Sequence, residues 1–178
     1  DKYSLVHRLD KETTGLLVIS KHYKSAKIFG KLFKDHEIEK YYLAICQGVP
    51  NNLDSIVKLG INKKKSNKNL QTITKYKVVN KSNKISLILY KPLTGKTHQL
   101  RIVSKYLNCP IIGDSKYGNS NKYLKEQLML NAFYLQFTFK NHQYEFNSIL
   151  PKNILKFMKR INLIFPKDKK INNLSKAF

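Results

Sequence analysis

His7-Arg8-Leu9-Asp10-Lys11-Glu12-Thr13-Thr14-Gly15-Leu16-Leu17-Val18-Ile19-Ser20 changes character halfway along. Its first half packs acid, base and small polar residues together, the chemistry of a turn. From Gly15 to Ser20 an apolar run rich in branched side chains reads as a buried strand. An Asp in such a turn is by default a capping residue whose carboxylate binds nearby backbone N–H groups. Asp10, however, is also a carboxylate delivered straight against Leu9, Leu16 and Leu17, which gives it a second, chemical reading.

Working outward, Ala26, Ile28, Phe29, Leu32 and Phe33 fall at helical spacing and predict a helix over 25–34, with Lys27, Lys31 and Lys34 outside. Residues 39–48 alternate as a strand, Tyr42, Ala44 and Cys46 against Tyr41, Leu43 and Ile45. Residues 61–69 read as a polar, lysine-rich loop. Segments 72–79 and 85–90 form a hairpin across Asn80–Lys84. Pro92-Leu93-Thr94-Gly95 is turn chemistry, and Thr97 is placed to cap a helix running to about Leu107. Cys109–Asp114 is an extended piece ending in a turn. Strand 132–139 pairs with 144–149, and Ile154, Leu155, Met158 and Ile161 form the stripe of a closing helix. The expectation is an α+β domain over 1–163, a largely antiparallel mixed sheet flanked by helices, with a basic, frayed tail over 164–178. There is no internal repeat and no second domain.

Charge is the unusual quantity. The 178 residues carry 34 Lys+Arg against 11 Asp+Glu, a formal net charge of +23, where a small soluble domain carries about 2–8 in magnitude. A Lys- and Asn-rich composition accounts for runs such as 62–69 but not for the shortage of acids. An excess of this size meets a polyanion, and nucleic acid is the expected partner. The two cysteines, Cys46 and Cys109, have no metal-site or redox-motif spacing and read as reduced thiols. No apolar run reaches the ~18 residues of a membrane span, and the first residues hold no signal-peptide core. A cytoplasmic location of bacterial type follows, an organelle being the alternative, with no membrane partner.

Two motifs fail. Gly95-Lys96-Thr97 has Tyr90 where a phosphate-binding loop needs its earlier glycine, and His7-Arg8-Leu9-Asp10 has the wrong order for a kinase catalytic loop and no Asp-Phe-Gly after it. Three stretches remain: His7–Asp10 through Thr14–Leu17; Lys40-Tyr41-Tyr42-Leu43-Ala44; and Thr94-Gly95-Lys96-Thr97-His98-Gln99-Leu100-Arg101, continued by Pro110–Asp114 and Tyr117-Gly118. In order and spacing they resemble the signature blocks of the RluA family of RNA pseudouridine synthases, in members acting on large-subunit ribosomal RNA above all. The similarity runs to about Pro151. Thr14 stands where the family usually has Ser, Lys96 where it has Arg, and Val103, Asn108-Cys109 and Asn131 also depart from common residues. The family's front section, with a Lys-Pro motif and often an S4 domain, has no counterpart, so the resemblance implies a catalytic domain lacking its N-terminal segment.

The resemblance implies that Asp10 is the essential carboxylate, attacking the sugar or the base or helping to remove a sugar proton. Arg101 is its expected guanidinium partner: at ~4 Å and an effective dielectric of ~20 the attraction is about 4 kcal/mol, enough to offset moderate desolvation. Tyr42 offers a ring for the uracil and a hydroxyl near C5. Arg8, Lys96, His98 and Leu100 are expected against the substrate, His98 and Gln99 also organising the loop around Arg101. No cofactor and no metal is required, since uridine isomerisation oxidises nothing. The expected partner is ribosomal RNA, with tRNA possible for some relatives, and the chain is expected to act as a monomer. The competing readings are a non-catalytic RNA-binding module and a DNA binder; the latter lacks a helix-turn-helix or zinc motif.

Overall fold

The strand β4, Glu39–Gln47, lies at the middle of the sheet because it is apolar on both faces: Tyr41, Leu43, Ala44, Ile45 and Cys46 are all buried. A computed structural model of the chain describes residues 3–62, 69–118, 123 and 125–165. Around β4 the order of elements is β1 (Ser4–Leu5), β2 (Thr14–Gly15), β3 (Ile19–Ser20), α1 (Tyr23–Lys34), β4, β5 (Asp54–Asn62), β6 (Asn69–Ser82), β7 (Ile85–Pro92), α2 (Gln99–Tyr106), β8 (Leu130–Phe139), β9 (His142–Asn147) and α3 (Lys152–Arg160).

The main sheet runs β2-β8-β4-β7-β6-β5, with β9 also paired to β8. Every pairing in it is antiparallel except the short parallel contact of β2 with β8. Tyr42 stands opposite Tyr90 on β7 and Ala132 on β8, just where a register shift follows Tyr41. The core contains Leu87, Ile88, Leu89, Tyr90, Met129 and Tyr134 from the neighbouring strands, closed by Leu100 and Val103 of α2 and by Ile154, Phe157 and Met158 of α3. This is the α+β mixed sheet with flanking helices that the alternation patterns imply. Among the described residues no helix is long and apolar enough to cross a membrane.

Four local expectations change. Residues 15–20 do not form one buried strand. Gly15, at φ +109°, breaks the run, and the two pieces β2 and β3 join different sheets. Leu17 and Ile19 remain 41% and 52% exposed, lining an apolar groove with Leu16, Val18, Phe29, Leu135, Phe137 and Phe146. Second, the loop expected over 61–69 is narrower: Ile61 and Asn62 end β5 and Asn69 begins β6, while 63–68 lie outside the described residues. Third, α2 is not capped by Thr97; His98 holds the N-cap position, in the left-handed region at φ 55°, and no side chain caps the helix. Fourth, Leu155 is exposed, and Phe157 takes its place in the buried stripe of α3.

Of the segment 164–178, residues 166–178 lie outside the described residues. Ile164 accepts a hydrogen bond from Asn80 Nδ2 at 2.6 Å, and Phe165 packs edge-on against Phe133.

Candidate active site

Two short attachments fix the turn that carries Asp10. Downstream, β2 pairs Thr14 with Asn131 and Gly15 with Ala132, and Leu16 N–H donates to the Ala132 carbonyl at 2.9 Å. The Thr14 hydroxyl donates to the Leu130 carbonyl and accepts from Asn131 Nδ2. A Cβ on Gly15 would overlap the Ala132 backbone, so the close approach itself requires glycine. Upstream, His7 Nε2 accepts from Val18 N–H at 2.8 Å and its ring stacks on Phe33 at 4.2 Å. Burial, helped by the Lys40 charge, pushes the His7 pKa down to about 4. The ring is therefore neutral and able to accept. Between these anchors Thr13 N–H donates to the Asp10 carbonyl at 2.9 Å, closing the turn.

The turn opens on a pocket lined by Arg8, Leu9, Asp10, Thr13, Lys40, Tyr42, Pro92, Thr94, Gly95, Leu100, Arg101 and Leu130. The structure thus brings Asp10, Tyr42 and Arg101, from three distant stretches, to one cavity, with Arg8 and Leu100 on its walls. Lys96 does not line it: its side chain is exposed, and its backbone N–H donates to Gln99 Oε1. His98 lies behind the carboxylate, its Nε2 4.0 Å from Asp10 Oδ1. The apolar wall comes from Leu9, Pro92, Leu100 and Leu130, not from Leu16 and Leu17, which face the separate groove.

Arg101 requires a correction. Among the described residues its close ion pair is with Asp114, Nε to Oδ2 at 2.8 Å and Nη2 to Oδ1 at 2.7 Å, and Glu12 lies 4.0 Å away. It makes no such contact with Asp10. The guanidinium is buried, and desolvation demands a directly hydrogen-bonded counter-ion; Asp114 meets that demand through both oxygens. Asp114 Oδ1 also accepts from the Lys116 and Tyr117 backbone N–H groups. Burial works to raise the Asp114 pKa, but the Arg101 bonds and these N–H groups prevail and hold it below the usual carboxylate range. For Arg101, the Asp114 hydrogen bonds raise the pKa, burial opposes them, and the fields of Asp10 and Glu12 add to the rise. Asp10 thus meets Arg101 as a charge across the pocket. Two of the five guanidinium N–H groups serve Asp114, leaving donors for a ligand.

Gln99 shapes the facing loop. Its Oε1 accepts from the Thr94 hydroxyl and Lys96 N–H, while its Nε2 donates to the Ile73 carbonyl and Thr74 hydroxyl. Tyr42 has its pKa pushed up to about 12 by burial and then by the Asp10 charge, so its hydroxyl keeps its proton at neutral pH. Burial also lowers the Lys40 pKa. Sequence reasoning missed Lys40 and Asp114 as site residues. Both lie inside the stretches quoted for the resemblance, where no role was assigned to them: Lys40 stands two before Tyr42 on the same strand, and Asp114 follows a turn glycine.

The α+β fold that brings this carboxylate, tyrosine and anchored guanidinium to one pocket is a fold already represented among solved structures. The chain superposes on human RNA Pseudouridylate Synthase Domain Containing 4 with a TM-score of 0.82 and 26% identity, over 93% of this chain and 78% of that one. The family model described as RNA pseudouridylate synthase matches residues 1–106. The chain is 39% identical over 172 residues to ribosomal large subunit pseudouridine synthase C of Rickettsia bellii, covering 90% of this chain and 52% of that protein. It is 35% identical over 165 residues to ribosomal large subunit pseudouridine synthase D of Borreliella burgdorferi, covering 86% and 51%. The chain belongs to the RNA pseudouridylate synthase family. It spans about half the length of the curated relatives it matches.

Proposed function

We propose that this chain carries the catalytic centre of a pseudouridine synthase that isomerises uridines in large-subunit ribosomal RNA, in the cytoplasm and as a monomer. The convergence of Asp10, Tyr42 and Arg101 on one pocket carries the reading. The names of the curated relatives support the ribosomal target, and the net charge of +23 supports a polyanionic substrate.

The reaction breaks the N1–C1′ bond and forms a C5–C1′ bond; the proton leaving C5 is balanced by one gained at N1, and nothing is oxidised. The uridine must first leave its stack, at a cost of a few kcal/mol. Arg8, exposed at the pocket mouth, fills the gap or grips the backbone, while lysines hold phosphates and set position without reading sequence. Leu9, Pro92, Leu100 and Leu130 exclude water around the entering base. The Asp10 carboxylate acts on the nucleoside, and the residual Arg101 donors stabilise charge that develops beside it. Tyr42 supplies a flat ring and a protonated hydroxyl.

Tritium release from C5-labelled uridine in ribosomal RNA tests this. The parent protein should release label, and Asp10→Asn, nearly isosteric but unable to act as nucleophile or base, should reduce release to background. Release by Asp10→Asn at the parent rate would remove Asp10 from the chemistry. Arg101→Leu should lower turnover far more than RNA affinity; equal losses would make Arg101 a phosphate anchor.

A further inference from the structure

His98 holds a backbone conformation that most side chains avoid, φ 55° and ψ 20°, yet does not use its ring to cap the helix it begins. Left-handed backbone at a non-glycine residue costs of order 1 kcal/mol and persists where surrounding contacts over-determine it. Here the contacts are on the imidazole. Nδ1 lies 3.1 Å from the Tyr117 hydroxyl and 3.5 Å from Lys116 Nζ, and the ring meets Tyr117 edge-on at 5.7 Å. On its other side, Nε2 faces Asp10 Oδ1 at 4.0 Å.

The chemistry of these partners decides the proton. A lysine ammonium has donors only, and the tyrosine hydroxyl can donate. The Lys116 ammonium can only donate to Nδ1 and the Tyr117 hydroxyl can do the same, so a lone pair on Nδ1 is the arrangement that satisfies both. A neutral imidazole has one N–H, which then sits on Nε2, directed at the carboxylate. We propose that His98 is a positioning residue for Asp10, locked by Tyr117 and Lys116 in the tautomer that presents an Nε2–H to Oδ1 and leaves Oδ2 for the nucleoside. At 4.0 Å the contact is longer than a hydrogen bond; catalytic contacts of this kind commonly tighten when substrate closes the site.

The support is rigid. Lys116 and Tyr117 are fixed by their N–H groups on Asp114, and the Tyr117 ring carries the Arg101 guanidinium at 5.3 Å. The groups facing His98 are thus Asp10 from the turn after β1, Arg101 from α2, and Asp114, Lys116 and Tyr117 from the segment after α2. Burial lowers the His98 pKa, Asp10 works against that, Arg101 and Lys116 add to it, and Asp114 opposes. The neutral ring needed here is the form present at pH 7.

This inference rests on the synthase reading, and its test separates the two. Nitrogen-15 NMR of the labelled chain should show His98 as the Nε2–H tautomer, and Asp10→Asn should move its titration to lower pH. An Nδ1–H tautomer, or a titration indifferent to Asp10→Asn, overturns the proposal whether or not the chain turns over. In tritium release, misplacing a reacting group can cost about a hundred-fold. His98→Leu should lose kcat on that scale with KM for RNA unchanged. His98→Gln, equally strained but with an amide donor near the Nε2 position, should recover part of it. Leu and Gln variants with equal kcat overturn the positioning role. A parent that releases no label overturns the synthase reading, and the tautomer and titration then decide this one.

Discussion

Arg101 and Asp114 form a two-point ion pair at 2.7 and 2.8 Å, with the Asp114 side chain wholly shielded from solvent. Removing one member of a buried pair leaves an uncompensated charge and costs about 3–5 kcal/mol, against a total stability of about 5–15 kcal/mol for an ordinary domain. Asp114→Ala should therefore lower the urea midpoint sharply and abolish turnover. Asp114→Asn keeps the shape and a carbonyl acceptor, so it should lose less stability while still slowing catalysis. An Asp114→Ala protein as stable as the parent would mean that the pair carries no structural weight.

Gly15 is the second point at which the site depends on backbone. At φ +109°, with the Ala132 backbone where a Cβ would stand, Gly15→Ala combines backbone strain of about 1–3 kcal/mol with a steric conflict that only separation of β2 from β8 relieves. The expected result is a loss of at least about 2 kcal/mol. Turnover should fall further than that loss explains, because the same contact holds the Asp10 turn. Gly30→Ala, where an added Cβ meets nothing, is the matched control and should be neutral or slightly stabilising in its helix.

His7 makes stability depend on pH. Its folded pKa is about 4 against 6.5 for the free side chain. The unfolded chain therefore binds more protons between those values, and stability rises with pH there. The contribution is complete above pH 6.5 and is lost as pH falls towards 4. Melting temperature should decline across this window in the parent. In His7→Phe, which keeps the stacking but does not titrate, that component of the decline should disappear. An identical pH profile in both proteins would exclude His7 as its source.

Much of the sheet was legible because strands announce themselves by alternation and by apolar content on both faces. The segments read as strands over 39–48, 85–90 and 132–139 met that condition, the observed strands being 39–47, 85–92 and 130–139, and so did the stripe of α1 from Ala26 to Phe33. β5 was not read although Val57, Leu59 and Ile61 alternate with Lys58 and Gly60; its other face carries little apolar surface, and as an edge strand it needs only one neighbour. The apolar run after Gly15 misled because Leu17 and Ile19 line an open groove and are not enclosed. In the pocket, the residues converging on Asp10 were readable one by one. Their partners were not, since the choice of Asp114 rather than Asp10 for Arg101 is made by a loop without periodicity. The Asp114 interactions also fix Tyr117, and so the orientation of His98.

Tyr42 separates what a ring does from what a hydroxyl does. Its pKa of about 12 keeps the phenol protonated through the neutral and mildly alkaline range, so no rise in rate with pH below about 10 should be traceable to its deprotonation. Tyr42→Phe preserves the aromatic face, and stacking is worth about 1–3 kcal/mol per base whichever base is bound. RNA affinity should thus remain within a few-fold of the parent, whereas Tyr42→Ala should weaken it. If the hydroxyl handles the C5 proton, Tyr42→Phe should also fail late, after the N1–C1′ bond has broken. Label would then stay on C5 while an altered nucleoside, or a complex that resists dissociation, accumulates on the enzyme. Rapid quenching of a single turnover resolves the order of these events. A Phe variant that completes the isomerisation at the parent rate would reduce Tyr42 to a surface on which uracil rests.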